Sequence, residues 1–159
     1  MITEIRLTDL QQFVINEVKN STEFATLVDD LLGDVEFGFY RGGDLMGEAE
    51  PTPYFTSYKF NSANHEGKDP SWTLQFCIGI DPDENSTLVD GVYVWESTDK
   101  VEQLATKALS IVKQSLLDGL FGGSCLLRVS SENILITEIG EAQDVQAIVT
   151  FVIESYSTF

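Results

Sequence analysis

At 159 residues the chain has the length of one domain, and a chain of that size typically buries roughly 70% of the surface its unfolded form exposes. Its 43% hydrophobic content is too high for a disordered acidic tail, while nine basic against twenty-six acidic side chains leave a formal net charge of −17. That charge repels phosphate within a Debye length of roughly 8 Å at physiological salt, and the scattered basic residues form no patch, which argues against conventional nucleic-acid or anionic-membrane binding.

The first expected element is an amphipathic helix. Thr8 and Gln11 have the spacing of a capping box, and Leu10, Phe13, Val14 and Val18 follow at helical intervals. Phe24, Leu27, Val28, Leu31 and Leu32 repeat the pattern after Lys19-Asn20-Ser21-Thr22, with Gly33 as a left-handed C-terminal cap; the region 8–33 is two helices, or one bent at Asn20. The apolar period then drops to two: Val35, Phe37 and Phe39 alternate with Glu36, Gly38 and Tyr40, as in a strand with one buried face.

The segment 41–53 is rich in glycine, proline and acid and reads as a mobile loop. A strand from Tyr54 to Phe60 follows, placing Tyr54, Thr56, Tyr58 and Phe60 on one face and Phe55, Ser57 and Lys59 on the other. A second mobile loop, 61–71, holds the sole histidine, His65, in a solvated setting. Trp72, Leu74, Phe76, Ile78 and Ile80 then predict a central antiparallel strand covered on one side, closed by a turn at Asp81-Pro82-Asp83-Glu84-Asn85. Leu88 to Trp95 reads as one further strand.

Ser97 and Thr98 as N-caps introduce a long helix, Val101 to Leu117, whose stripe is Val101, Leu104, Ala105, Ala108, Val112 and Leu116. Gly119 ends it, with Leu120 and Phe121 placed to pack back on its last turn. Ser124–Val129 and Ile134–Ile139 are expected to form a hairpin around Ser130-Ser131-Glu132-Asn133, and Val145 to Ser155 a long final strand. The fold class is α+β: one domain over 1–159, with an antiparallel or mixed sheet over 34–159, N-terminal helices, and one long helix packed on the sheet.

Chemistry-bearing motifs are sparse. One histidine argues against zinc sites and histidine-based triads. Gly42-Gly43 and Gly122-Gly123 match neither phosphate-cradling pattern and read as turns. The 81–85 segment lacks the glycine and distal glutamate of a calcium loop. Asp29-Asp30, Glu48 with Glu50, and Asp83-Glu84 read as solvated surface, having no neighbour that would split their pKa values. Cys77 and Cys125 read as small buried hydrophobes, and Asn85-Ser86-Thr87 as a chance match to the glycosylation sequon. No catalytic residue, cofactor or metal ligand is expected. The N-terminal MITEIRLTDL has no signal-peptide pattern and no run of 18 apolar residues occurs, which predicts a cytosolic chain without membrane association.

The aromatics Phe37, Phe39, Tyr40, Tyr54, Phe55, Tyr58 and Phe60 exceed what one sheet face can hold, implying either a sheet covered on both faces or an interface with a neighbour. Candidate contact residues are Tyr40, Arg41, Tyr54, Phe55, Tyr58 and Trp95.

The element order resembles the tail terminator, or tail-completion, proteins of long-tailed bacteriophages. The resemblance is carried by the N-terminal helical region, Pro51-Thr52-Pro53-Tyr54-Phe55, Val92-Tyr93-Val94-Trp95-Glu96-Ser97, the helix Val101 to Leu117 and the closing strand Val145 to Ser155; the acidic insertion Arg41 to Glu50 departs from it. It implies a non-enzymatic ring homo-oligomer of six subunits that caps the tail tube and offers a docking surface to the head–tail connector. It also implies that DNA passes through the lumen without specific binding, and that the protein resides in the host cytoplasm during assembly and then in the virion tail. Two alternatives from other classes stand beside it: an acidic dimeric chaperone of the secretion type, and an acidic DNA mimic that inhibits a nucleic-acid-binding enzyme.

Overall fold

A computed structural model describes residues 5–43, 52–58, 62–64, 70–122, 126–139 and 144–156. The expected α+β architecture is present. Helices α1 (Leu7–Lys19) and α2 (Thr22–Leu32) come first, then β1 (Gly38–Gly43), β2 (Tyr54–Tyr58), β3 (Ser62–Asn64), β4 (Ser71–Ile80), β5 (Thr87–Val89) and β6 (Val92–Val94). The long helix α3 (Glu96–Leu117) follows, and β7 (Leu126–Ile139) and β8 (Asp144–Tyr156) complete the fold. The main sheet has the order β1-β2-β4-β8-β7, with β3 paired to β4; β1 and β2 are parallel and every other pair is antiparallel. All three helices cover one face of it.

The helices keep their expected stripes, but their ends are built differently. Helix α1 begins one residue before Thr8 and has no side-chain cap; Gln11 instead crosses to β2, where its Nε2 donates to the Ser57 carbonyl at 3.2 Å. The chain does break at Asn20, and Ser21 caps α2 by accepting from the Phe24 N–H. Gly33 has the expected positive φ of 80° but ψ of −156°, a glycine-only conformation rather than the left-handed helical one. Helix α3 starts at Glu96, so Ser97 and Thr98 lie inside its first turn and do not cap it. The cap comes from the preceding turn: Asp83 Oδ2 accepts the Ser97 N–H at 2.6 Å. At the far end Leu120 N–H bonds the Ser115 carbonyl and Gly119 N–H bonds that of Leu116, the paired pattern of a Schellman cap. Phe121 packs back onto α1, edge-on to Phe13 at 5.3 Å, whereas Leu120 turns out to solvent.

Several strands depart from expectation. The first is shifted: β1 begins at Gly38, Val35 is exposed, and Arg41, Gly42 and Gly43 are strand rather than loop. Within the second expected loop, Ser62–Asn64 form β3 and Ser71 opens β4; His65 lies outside the described residues, as do Lys59, Phe60, Cys125 and most of 41–53. The single strand expected over Leu88–Trp95 is a two-stranded hairpin turning at Asp90 (φ 50°) and Gly91 (φ 78°), consecutive positive φ values that suit a primed turn. Conversely, the hairpin expected around Ser130–Asn133 is one continuous strand. β7 pairs with β8 from Leu126 to Ile139, and a bulge between Val129 and Ser131 absorbs the extra residue.

The core accounts for most of the aromatic surplus. Phe24, Phe37, Phe39, Phe55, Phe76 and Phe151 form one unbroken run of ring contacts from α2 across β1, β2 and β4 to β8, with centroids 4.8–6.3 Å apart. Val101, Leu104, Ala105, Ala108, Leu109, Val112 and Leu116 of α3 press on the same layer. Ala105 and Ala108 let the helix axis approach the sheet closely.

Candidate interaction surface

Because side chains alternate along each strand, the register fixes what the sheet face opposite the helices carries; at the β2–β4 end Thr56 and Cys77 are buried there, while Ser131, Asn133 and Leu135 of β7 are exposed. One row across the sheet is Tyr40, Thr56, Cys77, Ile148 and Leu135. The next are Gln75, Thr150 and Asn133, then Thr73, Val152 and Ser131. None of these residues is acidic or basic. The charges that do reach this face are neutralised or buried: Arg128 pairs with Glu154 at 2.8 Å and lies over the Tyr156 ring, and Asp144 is buried. Exposed acids line the helices at Asp9, Glu23, Asp29, Asp30, Asp99 and Glu102, and others lie off them, among them Asp34, Glu36, Glu84 and Asp81, the last near enough to Asp144 to act on it. Among the described residues the helices thus carry many exposed acids, whereas these three rows of the sheet carry none.

At one end of the uncharged face two tyrosines lie along the sheet over glycines. A Cβ on Gly79 would come within 2.3 Å of the Tyr54 ring, and one on Gly38 within 2.7 Å of the Tyr40 ring. Tyr54 is held there by its hydroxyl, which donates to Asp144 Oδ2 at 3.1 Å and accepts from Gln146 Nε2 at 2.5 Å. Burial, with smaller contributions from Cys77 and Asp144, raises the phenol far above the ordinary tyrosine range, so Tyr54 stays a neutral donor. Burial also raises Asp144 above the usual 3.8, outweighing the opposing bond from Tyr54, and nearby Asp81 adds to the shift. Asp81 itself accepts from the Thr52 hydroxyl.

The folded state therefore holds the Asp144 proton to higher pH than the unfolded chain. At pH values well below 3.8 the residue is neutral in both states and costs nothing; the ionisation penalty grows as pH rises past that value and is complete above the elevated folded one. Asp144→Asn, whose Oδ1 still accepts from Tyr54, is expected to leave the melting temperature unchanged near pH 2.5 and to raise it at pH 7. A fall at pH 7, measured by calorimetry across that range, would contradict burial as the dominant cause.

The hairpin β5–β6 is the other notable surface. Among the described residues its strands pair only with each other. Leu88 opposite Tyr93 makes one face, and Val89 opposite Val92 lies on the other. Leu88 and Val92 are each 60% exposed, Tyr93 is 72% and the following Trp95 is 50%. The sole charged residue from Thr87 to Trp95 is Asp90, at the turn.

The six candidate contact residues separate accordingly. Trp95 lies at the foot of this hairpin and Tyr40 on the uncharged sheet face. Tyr54 is buried beside Asp144 and Gln146, Phe55 is wholly in the core, and Arg41 donates to Gln12 Oε1 of α1 at 3.0 Å; these three are engaged within the chain. Tyr58 lies on β2 with its backbone opposite Gly43. Sequence reasoning missed Tyr93 and Leu88, although Asp90-Gly91 between apolar residues is a strong hairpin signal.

Chemical constellations are absent among the described residues in one specific sense: no three His, Cys, Asp or Glu side chains gather as a metal cage. A groove of about 540 Å³ between α2 and α3 is lined by Leu27, Asp99, Glu102, Gln103, Thr106 and Lys107, all on open helix surface. No helix among the described residues is long and apolar enough to cross a membrane.

No family model matches the chain. It is 32% identical over 111 residues, 63% of its length, to serine-aspartate repeat-containing protein F of Staphylococcus epidermidis strain ATCC 12228, and equally to a second Staphylococcus epidermidis protein of that description. The chain spans about 7% and 6% of the lengths of these relatives and contains no Ser-Asp dipeptide.

Proposed function

We propose that this chain is a non-enzymatic structural subunit of phage tail assembly, closing into a homo-oligomeric ring of six that caps the tail tube and presents a surface to the head–tail connector. The observation that carries the reading is the segregation of charge. Like-charged copies meet most readily where acid is sparse, and the described residues offer two such places, the charge-free rows of the outer sheet face and the β5–β6 hairpin. A ring needs two different surfaces on each subunit, since its contacts are head-to-tail. The acidic helical side is then left for a lumen through which DNA slides without sticking.

Mass measurement and electron microscopy across protein concentration test this. Monomers are expected to give closed rings, and rings to form more readily in salt, because screening shortens the Debye length from about 8 Å at 0.15 M to about 3 Å at 1 M and weakens acid–acid repulsion while sparing apolar contact. A strictly dimeric species at every concentration would favour the chaperone alternative and sink this reading. Assembly that dissolves in salt would show that charged groups make the contact.

A further inference from the structure

The geometry points to the β5–β6 hairpin as an arm that seats on the uncharged end of β7 in a second copy of this chain, Leu88 and Tyr93 covering Leu135 and Ile148. This deepens the ring reading and rests on it, by naming the two surfaces that meet. A lone two-stranded hairpin is marginally stable in water. This one carries apolar side chains bare on both faces, so its folded form calls for an external surface to cover it.

The occupant follows from charge. A basic partner would be met by the acidic helical layer, whereas a segment with one charge in nine residues, on a chain of −17, suits a partner that is itself acidic. A second copy is such a partner and carries the matching surface. Leu135 is 54% exposed directly opposite Ile148, in the charge-free stretch Asn133–Thr137. β7 is also the last strand of the sheet among the described residues, the position at which a further strand can add. Donor and acceptor differ, so the contact is head-to-tail and propagates around a ring.

The decisive experiment is cysteine pairing in the full chain. Tagged Tyr93→Cys protein mixed with untagged Leu135→Cys protein and mildly oxidised is expected to give tagged–untagged covalent dimers, and the double variant a covalent ladder. The parent chain, with its native thiols, sets the background. Tyr93→Cys pairing mainly with itself would show a symmetric contact and overturn the proposal. Rings seen by mass without the mixed cross-link would overturn this contact while leaving the ring reading standing; monomers at every concentration would overturn both. As an independent measure, Tyr93→Asp is expected to weaken assembly at least about tenfold, as loss of a central aromatic anchor does, with an unchanged melting temperature because the residue is exposed in the monomer. Undiminished assembly of this variant would equally overturn the proposal.

Discussion

Phe76→Ala is expected to lower the unfolding free energy by about 3–5 kcal/mol, the cost of emptying a buried phenylalanine site that cannot collapse. Phe76 is fully buried within the ring series, next to its β8 end, 4.8 Å from Phe55 on one side and 5.8 Å from Phe151 on the other. Both neighbours sit on paired strands, β2 and β8, so neither can move into the gap without breaking the sheet. Because a domain is stable by only about 5–15 kcal/mol, the loss is a large fraction of the total. Urea unfolding should show a lower midpoint with an unchanged slope, since the surface exposed on unfolding is almost the same. Phe37→Ala, at the half-buried end of the series, serves as the comparison. A loss at Phe37 equal to or larger than that at Phe76 would refute the picture of a series anchored where it is fully buried in the sheet.

The second large effect is expected at Gly79. An alanine methyl there would overlap the Tyr54 ring, which cannot yield freely because Asp144 and Gln146 grip its hydroxyl. Gly79→Ala should therefore cost about 1–3 kcal/mol, through the displaced ring and its broken hydrogen bonds. Adding Tyr54→Ala removes the obstacle, so the double variant is expected to be clearly less destabilised than the sum of the two single changes. Strict additivity in thermal or urea unfolding would mean that the ring and the glycine do not share one space.

Much of the architecture was legible in the chain because it rests on local periodicity. The stripe from Val101 to Leu116 and the alternation from Trp72 to Ile80 each state a face and a period, and α3 and β4 bury those residues. Readings that failed concern features set by residues remote in sequence. Ser97 and Thr98 have cap chemistry, but Asp83, folded back from the preceding turn, holds the cap role. Ser130-Ser131-Glu132-Asn133 has turn composition, yet the thirteen residues of β8 provide a continuous ladder and a bulge takes up the mismatch. The hairpin at Asp90-Gly91 was legible and overlooked, because Val92 and Val94 alternate so regularly that one longer strand sufficed.

The candidate surface divides in the same way. Composition alone determined that the protein is acidic, and the spacing of apolar residues determined that its helices and a sheet share a core. Neither could place the acids. Whether Glu132 or Leu135 faces outward depends on strand register, and a register shift of one residue exchanges the two faces. Only the pairing of β4, β8 and β7 brought the charge-free rows from Gln75 to Asn133 and from Thr73 to Ser131 onto one side. The aromatics Phe37, Phe39 and Phe55, which the sequence left open between core and interface, were drawn inward by the ring series. Leu88, Tyr93 and Trp95, indistinguishable from core residues by type, are exposed because no helix or strand among the described residues folds over them.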